Sequence, residues 1–159
     1  MKRIIAGALL LLCLAGRPVL AAGEQGNGGS SFALGLQLGG SDGGQFSGIT
    51  ARVGRERTIE GVLAFDPDNH GFIVNGNYLV HSRNLFHQDP ISALKFYGGF
   101  GVGVWAGHQN GFWAQVPLGV DFDFAIPVEA SLFIAPGINI VPTTDANVHF
   151  GLGIRYWFM

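Results

Sequence analysis

The last thirteen residues of the chain, 147–159, alternate between apolar and polar positions. Val148, Phe150, Leu152, Ile154, Tyr156 and Phe158 fall on one face of an extended segment. Asn147, His149, Gly151, Gly153, Arg155 and Trp157 fall on the other. A side-chain period of two predicts a β-strand with one apolar and one polar face. The same period recurs in seven upstream segments, 32–39, 46–54, 58–65, 71–81, 92–105, 112–124 and 128–141, divided by turn-forming residues. Phe32, Leu34, Leu36 and Leu38 make the first apolar row; Leu94, Phe96, Phe100, Val102 and Val104 make the fifth. The first three segments read as short. Pro117 and Pro136 fall inside good strand patterns, and each predicts a bulge or an unpaired position, because proline brings no ladder donor.

Eight alternating segments predict an all-β fold, an eight-stranded antiparallel up-and-down barrel over residues 31–159. An even strand count sets both termini at one end. The long connection 82–90 and the turns near 55–56 and 125–127 then share that end; 40–45, 66–70, 106–111 and 142–146 lie at the other. The 82–90 connection reads as a loose turn, with a periplasmic partner as its alternative use.

Ahead of the barrel pattern, residues 1–22 have the parts of a signal peptide: Lys2 and Arg3, an apolar run from 4 to 15, and small residues at 19–23. That run is too short to cross a bilayer, which takes ~20 residues. Residues 23–30 read as a Gly-rich tether. Cys13 has Leu12 before it where a lipidation motif needs a small residue, so it reads as apolar filler of the leader. No other cysteine exists, which excludes disulfide, thiolate and cysteine-metal chemistry after cleavage. Taking Lys2, Arg3 and Arg17 from nine basic residues leaves six against eleven acids, the wrong sign for a nucleic-acid partner.

Charged residues are 13% of the chain, against ~25% in soluble domains. That shortage bears on which face turns inward. The polar face carries Tyr97, Trp105, Trp113 and Trp157 beside Gly99, Gly101, Gly103, Gly119, Gly137 and Gly153. Water-washed strands favour charge and β-formers, whereas a narrow lumen needs large and small side chains that interlock. The polar face therefore reads as the interior and the apolar face as lipid-facing. The glycines of the fifth segment leave room for a water-filled pocket away from the termini.

The chain ends on a spacing used to recognise outer-membrane barrels for assembly: glycine, two residues, aromatic, one residue, aromatic. Gly153, Tyr156 and Phe158 fill it, with Met159 following. In architecture and in this signature the segment 31–159 resembles the small eight-stranded outer-membrane barrel families, represented by the transmembrane domain of outer membrane protein A. The resemblance implies residence in the outer membrane after export, contact with its lipids, and engagement of the barrel-assembly machinery through the last strand.

Hairpin arithmetic places the ionisable residues of the polar face. It sets Arg52 opposite Glu60, Lys95 opposite Asp123, Asp123 opposite Glu129, Asp121 opposite Ser131 and Ser131 opposite Arg155. It also sets Trp105 opposite Trp113, and Asn139 opposite Asn147. Four acids (Glu60, Asp121, Asp123, Glu129) and three bases (Arg52, Lys95, Arg155) then form a belt in the half of the lumen nearer the termini. Isolated buried charges cost several kcal/mol each, so mutual pairing is expected.

Small barrels include lipid A deacylases, which set His and Ser two apart; no His-x-Ser occurs, and His81 and Ser82 are adjacent. Glu129, Ser131 and His149 lie on neighbouring segments, but the register holds His149 opposite Gly137, away from Glu129. The segment 66–71 offers oxygen ligands without the spacing of a calcium loop. No catalytic, cofactor or metal set emerges. The function expected is a mainly structural envelope barrel with a lumen plugged by charge. A narrow pore or small-ligand carrier is the alternative, and a lipid-modifying enzyme the third reading.

Overall fold

Strict alternation gives each strand an oily side and a polar side, and closing the sheet on itself hides one of them. A computed structural model describes residues 31–41, 44–68, 70–88, 91–107 and 110–158, with only the backbone described for 86–88. The leader at 1–22, the tether at 23–30 and Met159 lie outside the described residues. The strands are β1 (Phe32–Ser41), β2 (Gly44–Val53), β3 (Arg57–Asp66), β4 (Gly71–His81), β5 (Phe86–Gln88), β6 (Ile91–Ala106), β7 (Gly111–Gln115), β8 (Leu118–Phe124), β9 (Val128–Val141) and β10 (Asp145–Phe158). All pairings are antiparallel, and β1 pairs with both β2 and β10, so the sheet closes. With β5 prolonging β4 along β6, and β7 and β8 forming one interrupted stave, the barrel has eight staves.

The apolar rows face outward. Leu36, Ile59, Phe100, Ile138 and Ile154 are each more than half exposed. The inward positions are Gln37, Thr50, Arg52, Glu60, Asn77, Asp121, Glu129, Ser131 and Arg155, all buried, together with Val62, Ile73, Trp113 and other apolar residues. The first three strands are ten residues each, longer than their patterns, because their connections are tight.

Two registers differ from the hairpin arithmetic, each by two residues. Trp113 lies opposite Gly103, and Trp105 opposite Gly111. Two indoles cannot share one level of a narrow lumen, and a methyl placed on Gly103 would overlap the Trp113 ring. On β9 and β10, Arg155 lies opposite Glu129 rather than Ser131, Asn147 opposite Gly137, and His149 opposite Ala135. That shift sets a guanidinium against a carboxylate. Lys95 lies opposite Asp121, not Asp123, on the β6–β8 ladder.

Pro117 interrupts the sixth stave between β7 and β8 without shifting either neighbouring register. Pro136 stays within β9 opposite Val148 and marks no bulge there, but the ladder to the sixth stave skips it, so on that side it is the locally unpaired position expected. Each proline still accepts from a neighbouring strand: Val116 N donates to Pro136 O at 2.8 Å, and Gly99 N to Pro117 O at 3.0 Å. Only one donor per proline is forgone. The 82–90 connection is no loose turn in its described part. Ser82 N donates to Phe96 O (2.7 Å) and Leu85 N to Leu94 O (3.0 Å), laying the segment against β6 ahead of β5.

Candidate functional site

Arg52 projects inward from the second-last position of β2, where parity with Thr50 commits it to the lumen. Its Nε donates to Glu60 Oε2 on β3 at 2.7 Å. Its Nη1 donates to Asp121 Oδ2 on β8 and to Glu129 Oε1 on β9, both at 2.8 Å. Arg155 enters from β10: Nη2 donates to the same Glu60 oxygen at 2.9 Å, and Nη1 to the same Glu129 oxygen at 3.0 Å. Two guanidinium groups and two carboxylates thus alternate around a closed ring drawn from β2, β3, β9 and β10. The ring is sealed from solvent, with Arg52 and Arg155 exposed by 0% and 1%. Charge-assisted hydrogen bonds of this length are the strong kind, and removing one partner strands the others.

Neutral groups complete the ring. Asn77 donates to Glu60 Oε1 at 3.0 Å, Ser131 accepts from Arg155 at 2.8 Å, and the Trp157 indole donates to Glu129 Oε2 at 3.1 Å. The Tyr97 ring lies 5.0 Å from the Arg52 guanidinium, a cation–π distance. A relay then climbs away from the termini: Trp113 donates to Gln115 (2.9 Å), Gln115 to Asn77 (2.8 Å), and Asn77 to Glu60.

The seven predicted belt residues divide into two groups. Arg52, Glu60, Asp121, Glu129 and Arg155 meet in one network. Lys95 and Asp123 form a separate, partly exposed pair at 2.6 Å, a diagonal contact across the shifted register. Sequence reasoning missed His81, whose Nε2 is 2.9 Å from Asp121 Oδ2. Two arginines against three buried acids leave one negative charge, and His81 supplies the further donor. Its signal was present: His81 shares strand parity with the inward Ile73, Asn77 and Leu79. Of the residues expected to form an assembly signal, Gly153 points inward and Tyr156 and Phe158 point outward; Phe158 meets Phe32 across the closure, ring centres 6.0 Å apart.

The pocket expected over the strand-five glycines is filled. Trp113 covers Gly103, the Asn77 side chain covers Gly101, and the Tyr97 ring covers Gly119. What remains beyond the belt is a cavity of about 10 Å³ lined by Gln37, Asn75, Gln115 and His149 among others, the size of one water. Gln37 Oε1 and Asn75 Oδ1 find no donor among the described residues. A second cavity of about 10 Å³ lies on the terminal side of the belt, lined by Arg55, His81, Lys95, Asp123 and Trp157. Glu129 and Ser131 are committed to the belt; His149 sits six residues up β10 from Arg155 and stacks on Trp113 at 5.2 Å. Among the described residues no group of three or more His, Cys, Asp or Glu is placed to hold a metal ion.

No protein-family profile matches the sequence, and no curated protein matches it. Solved structures do. The N-terminal β-barrel domain of Pseudomonas aeruginosa OprF superposes with a TM-score of 0.67 at 15% identity, covering 83% of this chain and 100% of that one. Neisserial surface protein A superposes with a TM-score of 0.53 at 12% identity, covering 84% of this chain and 100% of that one. The chain therefore has the fold of the small eight-stranded outer-membrane barrels, the architecture its alternation predicts.

Proposed function

We propose that this chain is an integral outer-membrane barrel, exported by the leader at 1–22, with a mainly structural role in the envelope and a lumen closed to solutes by its charged belt. The fold likeness and the outward apolar rows support the membrane placement. The observation that carries the closed lumen is the ring itself: buried Arg52 and Arg155 each hold both Glu60 and Glu129, so paired side chains span the interior from four staves. Eight strands leave an interior that side chains alone can fill. The described ends, Phe32 and Phe158, share one end of the closed sheet, which we assign to the periplasm.

The test is planar-bilayer recording of the refolded protein. The wild type should show no sustained conductance, whereas the Arg52→Ala/Arg155→Ala double variant, with the cross-links gone, should show open events. Sustained wild-type conductance would replace this reading with the narrow pore. The pore reading has one observation in its favour: belt residues line a cavity on each side, Glu129 one and Glu60 the other. Lipid A profiling by mass spectrometry, with and without the protein, tests the enzymatic alternative.

A further inference from the structure

All six basic residues beyond the leader, Arg52, Arg55, Arg57, Arg83, Lys95 and Arg155, lie in the half of the barrel nearer the termini. At the opposite end the described residues include Asp66, Asp68 and Asp145 and no lysine or arginine. Arg52, Lys95 and Arg155 are engaged in lumen ion pairs. Arg55, Arg57 and Arg83 are exposed at the rim.

The placement of Arg57 decides the chemistry. Odd positions of β3 point outward, and Arg57 ends the row formed by Phe65, Leu63 and Ile59, of which Ile59 is 64% exposed. Its cross-strand partner is Val80, also outward. An arginine at the end of a hydrocarbon-facing row lays its stem along apolar surface and sends its guanidinium to the headgroup layer. Arg83 follows the end of β4 by two residues, at the same end of the barrel. His81 N donates to Glu56 O at 2.9 Å, which holds the turn before β3 against the end of β4. Arg55, on the same turn, lies over the Trp157 ring at 5.0 Å. Glu56 is the one acid on these two connections among the described residues, against Arg55, Arg57 and Arg83. Neither Arg57 nor Arg83 has an ion-pair partner among the described residues.

We propose that this rim docks the headgroups of anionic phospholipid, of the phosphatidylglycerol kind, in the leaflet facing the termini. Arg57 and Arg83 hold phosphate oxygens there. A guanidinium matches phosphate bidentately, and basic residues at an anionic leaflet attract its lipids. The proposal rests on the membrane reading above and adds a lipid preference to it.

Wild-type protein and the Arg57→Gln/Arg83→Gln variant are inserted into vesicles of equimolar phosphatidylcholine and phosphatidylglycerol, extracted gently, and weighed by native mass spectrometry for retained lipid. The wild type should retain phosphatidylglycerol in excess by roughly fivefold per arginine, and the variant should lose the excess. An Arg57→Lys/Arg83→Lys variant, which keeps the charge, should keep most of it. Equal retention of the two lipids by the wild type, or equal enrichment in the glutamine variant, overturns the proposal. Heat-dependent gel mobility in pure phosphatidylcholine vesicles is read alongside. A barrel that inserts there without lipid preference removes the lipid site alone; one that never inserts removes the membrane reading and the site together.

Discussion

Arg155 is the residue on which most of the belt turns, since it touches Glu60, Glu129, Ser131 and Thr50 at once. Arg155→Ala leaves three buried carboxylates, Glu60, Asp121 and Glu129, sharing the one Arg52 guanidinium and should cost about 3–5 kcal/mol, the scale for breaking a buried pair. Denaturant unfolding of the variant in lipid vesicles measures it. A loss under about 0.5 kcal/mol, the scale of surface changes, would show that water already satisfies these groups. Gly103 is sensitive for a steric reason. Any side chain there meets the Trp113 indole, whose own Nε1 is fixed by Gln115. Gly103→Val should destabilise by about 1–3 kcal/mol through overpacking, and Trp113→Leu in the same chain should recover part of that loss. If the double variant is simply the sum of the two single losses, the two side chains do not compete for one space.

At the scale of elements, the outward rows carry the lipid contact and the two prolines test how much a ladder can lose. Phe100 is 67% exposed near the middle of β6. Phe100→Arg should cost about 2–4 kcal/mol in vesicles by the depth scale for barrels. Unchanged stability would reverse the assignment of inside and outside. Pro136→Ala should change stability by less than about 1 kcal/mol. The regained donor is worth about 0.5–1.5 kcal/mol and the freed unfolded chain takes back about 0.4–1 kcal/mol. Strand parity made most of this legible. Alternation alone separates Arg52 and Glu60 from Ile49 and Leu63, and tight turns fixed their mutual register. Where the reading slipped, on β6 against β7 and β9 against β10, the turn alone did not determine the register. Side-chain volume over Gly103 and charge at Glu129 selected a pairing two residues away. His81 had the right parity but sat at a strand end, where a pattern cannot say whether the chain still alternates.

For the molecule as a whole, the closing contact is the most non-local one it makes: Phe32 pairs with Phe158, joining the first described strand to the last. Loop-closure entropy for so long a span is met only after the intervening staves are in place, so closure registers completed folding. It can be read directly, because residues 23–159 contain no cysteine. Leu36 and Ile154 are cross-strand partners on the outer face, exposed by 66% and 57%, so replacing both leaves the belt untouched. Antiparallel partners have Cα atoms about 4.5–5.5 Å apart, inside the roughly 4.4–6.8 Å range a disulfide spans. Leu36→Cys/Ile154→Cys should therefore oxidise to an intramolecular cross-link after insertion into vesicles, with the unheated gel mobility of the folded barrel kept after heating in part. Leu34→Cys/Leu152→Cys places its thiols four positions out of register, about 13 Å along the strand, and should stay reduced or join separate molecules. Efficient internal cross-linking of the second pair, or none of the first, would mean that β1 and β10 do not meet in this register and that the ring joining Arg155 to β2 and β3 is not the one that closes the lumen.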